Sequence, residues 1–181
     1  MKKKIYSIIV WLLITLISGC GGDQENPKSE IAGSWTMVAM RTNGITKKRG
    51  DLIKFNTLSK NINSTLEVNE TAKTVTVSGS YNLVFRSSIH GKHTYGELIV
   101  KQPPRISNSL YHDNLLQIEN SLFNSLNAQG ELVAIGTRFI VEKLTDTRLM
   151  LRNITYLHPE NDQTVITGNI ETVMEFTKKQ D

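Results

Sequence analysis

The stretch Lys73–Arg86, KTVTVSGSYNLVFR, decides the fold class of this chain. Apolar or small side chains occupy every second position and polar side chains the positions between: Val75, Val77, Gly79, Tyr81, Leu83 and Phe85 against Thr74, Thr76, Ser78, Ser80 and Asn82. A period of two indicates a β-strand with one buried face. The run is longer than a usual strand, and the glycine inside it is typical of a bend or bulge. We therefore expect a curved, rolled sheet.

The same alternation recurs later in the chain. It is clear in 132–144, through Val133, Ile135, Phe139 and Val141, and in 164–177, through Ile166, Ile170, Met174 and Phe176. Residues 148–157 and 95–101 are weaker strand candidates. Turn residues separate these runs, at 69–72, 90–92, 102–104, 129–130 and 158–162. Roughly eight strands joined in sequence predict an up-and-down barrel or a sandwich.

One segment has helical spacing instead. Leu115, Ile118, Leu122 and Leu126 fall on one helical face, with three asparagines opposite. Asp113 or Asn114 would cap the helix and Gly130 lies after its end. The prediction is a mainly β fold over residues 31–181, a single antiparallel barrel or strongly curved sheet with one amphipathic helix packed on it. A partner-binding or membrane-resting role for that helical face is the alternative.

The first nineteen residues have the three parts of an export signal. Lys2, Lys3 and Lys4 precede an apolar run over 5–17, and small Ser18 and Gly19 follow. The run is shorter than the roughly 20 residues needed to cross a bilayer as a helix. We expect residues 1–19 to be a signal peptide.

The end of that signal, Leu16-Ile17-Ser18-Gly19-Cys20, resembles the lipobox of bacterial lipoproteins. The resemblance implies a diacylglyceryl group on the Cys20 sulfur, cleavage before Cys20 and a further acyl chain, such as palmitate, on the new amine. Cys20 is also the only cysteine of the chain, so the mature domain has no disulfide. The alternative is a stray or buried cysteine.

The net charge excludes a nucleic-acid partner once the signal is removed. The whole chain carries 21 basic and 17 acidic residues, and loss of Lys2, Lys3 and Lys4 leaves a formal charge of +1. Residues 20–30 follow as a polar tether from the lipidated cysteine, without an apolar side chain beyond Pro27. The cluster Lys47-Lys48-Arg49 is expected at a polar hairpin tip, with contact to anionic lipid as the alternative.

The beginning of the folded part, Ile31-Ala32-Gly33-Ser34-Trp35, resembles the Gly-x-Trp motif of lipocalins and of lipocalin-like bacterial lipoproteins. Residues 144–149, LTDTRL, are similar to a turn-and-strand phrase of those proteins. The resemblance implies that Gly33 and Trp35 are structural, with Trp35 closing one end of a barrel under Arg148 or Arg152. The mid-chain helix and the missing disulfide depart from the family pattern, so a more open sheet is the alternative to a closed barrel.

Catalytic and metal-binding patterns are not found in the sequence. His90, His93 and His112, with Asp113, lack a recognised ligand spacing, so we interpret them as exposed loop residues. No nucleophile elbow, phosphate loop or HExxH helix is present, and the carboxylates are scattered. We expect no enzyme activity, no cofactor and no metal.

Two functions remain open at this stage. In the first, a hollow barrel binds a small apolar or amphipathic ligand, motivated by the Gly-x-Trp motif and the one-sided strands. In the second, a solid domain is a protein-interaction module, such as an envelope assembly factor or a periplasmic inhibitor, which contacts its partner through residues 103–104 and the helix at 115–126. In both, lipid on Cys20 holds the protein to the cell envelope, at the outer membrane, on its periplasmic side or at the surface.

Overall fold

A computed structural model describes residues 30–48, 51–157 and 167–180 of the chain. These residues form ten β-strands and no helix, so the expected mainly β class is confirmed. The strands are β1 (Gly33–Lys48), β2 (Asp51–Asn69), β3 (Thr74–Ile89), β4 (Lys92–His112), β5 (Leu115–Ile118), β6 (Asn124–Leu126), β7 (Leu132–Ala134), β8 (Arg138–Leu144), β9 (Arg148–Leu157) and β10 (Thr167–Lys178).

Eight of the strands form one antiparallel sheet that closes on itself in the order β1-β10-β9-β8-β5-β4-β3-β2. We call this sheet the ring. Its first and last strands pair over most of their length, from Trp35 opposite Lys178 to Lys47 opposite Thr167. On the other side, short β5 pairs with only four residues of β4 and three of β8. The sheet is therefore ring-like without being a regular barrel.

Strand β3 shows why the sequence folds this way. Val75, Val77, Tyr81 and Leu83 are fully buried, as the period of two predicts. Gly79 has a φ of 112°, and the β3–β4 register shifts beside it. A Cβ atom at this position would overlap the carbonyl oxygen of Asn63 on β2. The predicted bend is confirmed, and only glycine meets both its backbone and its steric requirement.

Two of the tight turns consist of residues with positive φ. His90 and Gly91 join β3 to β4, with φ of 48° and 75°. Asp113 and Asn114 join β4 to β5, with φ of 47° and 59°. Two residues with positive φ between antiparallel strands form the type I′ turn, which matches the twist of the strands. The turns expected at 69–72, 90–92 and 129–130 are present, and the one expected at 158–162 lies outside the described residues.

The turn predicted at residues 102–104 is wrong. Pro103 and Pro104 lie inside β4, at a bulge where Val77 pairs with Arg105 and Gly79 pairs with Gln102. A bulge leaves ladder positions without a partner, so the missing proline N–H costs no hydrogen bond there. Prolines can therefore lie within a strand at a bulge, and a pair of prolines alone does not predict a turn.

The predicted helix is also wrong. Leu115 begins β5, whose Leu116 and Ile118 are buried, and Asp113 and Asn114 form a turn rather than a cap. Asparagine and aspartate favour both positions, which explains the misinterpretation. After β5 the chain leaves the ring through residues 119–137, which contain β6 and β7 paired with each other. We call residues 119–137 the inserted hairpin.

The later strands agree with the alternation in part. Residues 132–144 were expected as one strand, but they divide into β7 and β8 because the inserted hairpin returns to the ring between them. Phe139 and Val141 are buried as expected. The weak candidate 148–157 is β9, and the strand expected at 164–177 is β10, with Met174 and Phe176 in the core.

Candidate functional site

The inserted hairpin packs against the inner face of the ring. Phe123 and Leu126 are fully buried, and Leu122 is 3% exposed. The Phe123 ring meets the rings of Phe139 and Phe176 edge to face, with centroids 5.9 and 6.4 Å apart. Edge-to-face pairs add about 0.5–1.5 kcal/mol to the burial of each ring. The hairpin is thus part of the hydrophobic core.

Three polar side chains of β3 and β4 hold the hairpin backbone. The Tyr81 hydroxyl donates to the Asn124 carbonyl at 2.9 Å, and Arg105 Nη2 donates to the Leu122 carbonyl at 2.5 Å. Gln102 Nε2 donates to the same Leu122 oxygen. Burial raises the pKa of Tyr81 to about 12, against the smaller opposing effects of its backbone hydrogen bond and of Arg105. Tyr81 is therefore a neutral donor at neutral pH.

A cluster of hydroxyl groups occupies the inner face beside the hairpin. Thr42 Oγ1 lies 2.7 Å from Ser125 Oγ of the hairpin and 2.9 Å from Thr172 Oγ1 of β10. Thr57 of β2 is buried next to the same Ser125 at 3.5 Å. Because these hydroxyls bond one another, Ser125 of the hairpin supplies a partner to the buried hydroxyls of Thr42 and Thr57. Side chains of the chain itself occupy this space.

The Gly-x-Trp residues lie where the chain enters the ring. Trp35 is fully buried, and its indole N–H donates to the Ile31 carbonyl at 2.9 Å. The cation near its ring is Lys178, with Nζ 5.2 Å from the ring centroid, which is consistent with their pairing across β1 and β10. The expected arginine cover is thus replaced by a lysine. Arg152 instead pairs with Glu142 and Glu171, and Arg148 lies opposite Thr177. Gly33 has a φ of 126° at the start of β1.

Strand β4 presents a free edge. Its residues Lys92–Gln102 pair with β3 on one side, and no strand in the described part of the chain pairs with their other side. Ile89 and Lys92 close a two-residue turn, so Lys92 and every second residue after it direct their backbone groups at β3. His93, Tyr95, Glu97, Ile99 and Lys101 therefore direct theirs at the free edge. We call Lys92–Gln102 the β4 edge.

The β4 edge carries exposed apolar side chains between charged ones. Tyr95 is 66% exposed and Ile99 61%, and Leu98 on the other face is 37% exposed. Glu97 and Lys101 lie on the same outer face as Tyr95 and Ile99. The Glu97 carboxylate accepts a hydrogen bond from Asn82 Nδ2 at 2.7 Å, and the Arg86 guanidinium lies 5.5 Å from the Tyr95 ring centroid. An exposed edge with apolar side chains is a template for another strand.

Two cavities open at the other end of the ring, near the turn between β2 and β3. One of about 640 Å³ is lined by residues that include Leu110, Ile118, Glu119 and Arg138. The other, of about 620 Å³, lies between the start of β1 and the β2–β3 turn. Both are open to solvent. Their volumes are in the range of small-molecule sites.

His90 lies in the turn between β3 and β4, whereas His93 and His112 lie in β4 rather than in loops. His90 pairs with Asp51 at 2.6 Å, and His112 pairs with its neighbour Asp113 at 2.8 Å. His93 lies 6.2 Å from the ring of Tyr95. Within residues 30–48, 51–157 and 167–180, no three histidine, cysteine or acidic side chains are grouped to hold a metal ion.

The membrane-related residues lie largely outside the described part. Cys20 and residues 21–29 of the tether are not described, and the side chains of Lys47 and Lys48 at the end of β1 are not described either. No helix among the described residues is long and apolar enough to span a bilayer.

Comparison with known proteins gives no relative for this chain. A scan against protein-family models, a search of curated proteins and a search of solved structures each found no match. The candidate site is therefore argued from its own geometry.

The sequence missed both features of this site. The inserted hairpin mixes buried apolar side chains with polar ones, as Phe123-Asn124-Ser125-Leu126 shows, so it has no clear period of two. In front of it, Asp113-Asn114 between two apolar runs was the available signal for the turn between β4 and β5. Residues 95–101 gave a weak strand signal, but nothing local indicates that one of its sides lacks a partner.

Proposed function

We propose that this protein is a lipid-anchored lipoprotein of the bacterial cell envelope whose β domain is a protein-interaction module. It binds its partner through the β4 edge. The single observation that supports this function is the free edge itself, with Tyr95 and Ile99 exposed on it. Main-chain hydrogen bonds to such an edge supply affinity, and side-chain contacts supply specificity.

The packing of the inserted hairpin on the inner face also supports an interaction module over a hollow barrel. The inserted hairpin occupies the inner face with Phe123 and Leu126 and bonds its hydroxyls through Ser125. A small ligand would have to displace this packing and expose apolar side chains. A partner strand at the β4 edge would leave this core packing in place.

The anchor rests on the lipobox-like residues 16–20 and on the single cysteine. Lipid on Cys20 would hold the domain near the membrane by a short polar tether, and several acyl chains make such attachment stable. Cys20→Ala should release the protein from the membrane fraction and abolish its labelling by palmitate. Membrane-bound, labelled Cys20→Ala protein would refute the anchor.

The interaction role is tested by photo-crosslinking in cells. A photoreactive amino acid replaces Tyr95 at the β4 edge, and a second variant carries it at Leu58. Leu58 is a matched control because it is 45% exposed on β2, which pairs with strands on both sides. We expect a discrete crosslinked product from position 95 and none from position 58. Equal products from both positions, or none from either, would contradict an edge-specific interaction.

A second candidate function is the binding of a small amphipathic ligand, and the 640 Å³ groove favours it. The groove places Leu110 and Ile118 beside the charges of Glu119 and Arg138, a mixture suited to such a ligand. The lipocalin-like resemblance of Gly33 and Trp35 belongs to this candidate. Native mass spectrometry after mild purification, followed by organic extraction, would reveal a bound ligand, and Leu110→Glu, at a residue of the groove that is 51% exposed, should release it.

A further inference from the structure

We propose that the partner of the β4 edge is a second copy of this chain, paired antiparallel about a two-fold axis at Ile99. This inference rests on the proposed function and names the partner of its site. The order of side chains along the β4 edge supports it, because this order is complementary to that of a second copy in antiparallel orientation.

The pairing follows from the free backbone groups. Tyr95, Glu97, Ile99 and Lys101 direct their N–H and C=O groups away from β3, as the closed turn before Lys92 requires. Two copies in antiparallel register about Ile99 place Ile99 opposite Ile99. Each copy then places Glu97 opposite Lys101 of the other. All these positions are hydrogen-bonded pairs, so the ladder continues from one ring into the next.

Charge complementarity favours this register over its two neighbours, with the axis at Glu97 or at Lys101. With the axis at Ile99, two Glu97–Lys101 pairs form by symmetry, and the most central contact is apolar. An axis at Glu97 or at Lys101 would instead place like charges opposite each other, which is unfavourable across strands. Asn82 Nδ2 donates a hydrogen bond to Oε1 of Glu97. The other carboxylate oxygen, Oε2, can then accept one from Lys101 of the second copy.

The end of the contact is also defined by the sequence. Pro103 and Pro104 follow Gln102 and lie in the bulge of β4. Because proline has no N–H, the ladder between copies cannot extend past this point. Tyr95 then lies opposite Pro103 of the other copy, so that each end of the interface pairs an aromatic ring with a proline. The contact is isologous and closes as a dimer.

Cysteine substitution in the full-length, membrane-anchored chain tests the axis. Paired Cα atoms at hydrogen-bonded positions lie about 5.5 Å apart, within the range of a disulfide. Ile99→Cys should therefore form a disulfide-linked dimer on mild oxidation. Ile106→Cys is the matched control, since Ile106 is 70% exposed on the same strand but lies beyond the prolines. The unsubstituted chain, whose only cysteine is Cys20, is a second control and measures any disulfide that forms through Cys20. Equal crosslinking of Ile106→Cys would overturn the axis.

Charge reversal tests the register in the detergent-solubilised chain, with mass measured by sedimentation. Glu97→Lys and Lys101→Glu each replace two attractive pairs by two repulsive ones, so each should raise the dimer Kd about thirtyfold. The double variant E97K/K101E should restore the dimer. Lys54→Glu, on the outer face of β2, is the matched control and should leave it intact. A double variant that stays monomeric would overturn the register.

The outcomes separate this inference from the proposed function. If Ile99→Cys stays monomeric while the photoreactive group at position 95 captures a different protein, self-pairing is overturned and the interaction role stands. If neither a dimer nor a capture is found, both are overturned. A dimer with the expected charge dependence supports both.

Discussion

Replacement of Phe123 by alanine tests whether the inserted hairpin is part of the core. Phe123 has no exposed surface, and its ring contacts those of Phe139 and Phe176. Truncation of a fully buried phenylalanine costs about 3–5 kcal/mol, and loss of two edge-to-face contacts places this site at the upper end of the range. That is a large fraction of the about 5–15 kcal/mol by which most domains are stable.

The assay is urea unfolding of the domain from Ile31, monitored by tryptophan fluorescence. The midpoint should fall with an unchanged m-value, since the loss concerns stability rather than the surface exposed on unfolding. Leu132→Ala is the matched control, because Leu132 belongs to the same hairpin but is 47% exposed. It should change the stability by less than about 0.5 kcal/mol. If Phe123→Ala costs less than about 1 kcal/mol, the hairpin is a detachable cover and the interior is not filled by it.

Two further predictions concern β3. Gly79→Ala should destabilise the domain by more than about 2 kcal/mol in the same urea assay, because its Cβ would overlap the Asn63 carbonyl at a φ of 112°. Gly91→Ala, which meets nothing within 4 Å, is the control, and an equal loss there would contradict the steric argument. Tyr81, with its pKa raised to about 12, stays neutral in the folded state while an unfolded tyrosine ionises near 10. The stability that burial of the neutral Tyr81 hydroxyl contributes is therefore complete below pH 10. As the pH rises from 10 to 12, the free energy of unfolding falls by about 2–3 kcal/mol. Tyr81→Phe should be the less stable variant at pH 7 and lose less on raising the pH, as alkaline unfolding curves of the two would show.

The parts of the fold that the sequence predicts are those in which one strand face is buried and the other is wet. In β3, the alternation alone predicts that Val75, Val77, Tyr81 and Leu83 are buried, and no partner strand needs to be known. The two prolines of β4 and the Asp113-Asn114 turn were misinterpreted, because each residue type is favoured in two local settings. Only the register across strands decides between those settings.

Other features depend on contacts that are remote in the sequence. Lys178 lies over Trp35 because β1 and β10 pair with these two residues opposite each other. Leu115 and Ile118 lie in β5 of the ring, whereas Leu122 and Leu126 lie in the inserted hairpin. Their helical spacing therefore spans two different elements, and only the pairing of β5 with β4 and β8 identifies the first of them as a strand.

The filled interior and the free edge have a common origin in the length of β5. Strand β4 has 21 residues and β5 has four, so the ladder between them ends at Ser109. After β5 the chain turns inward as the inserted hairpin and packs on the inner face of the ring, and among the described residues the β4 edge pairs with β3 alone. The shortness of β5 thus accounts both for the hairpin that packs inside the ring and for the unpaired side of β4, and it is the physical reason to look for the function at the β4 edge.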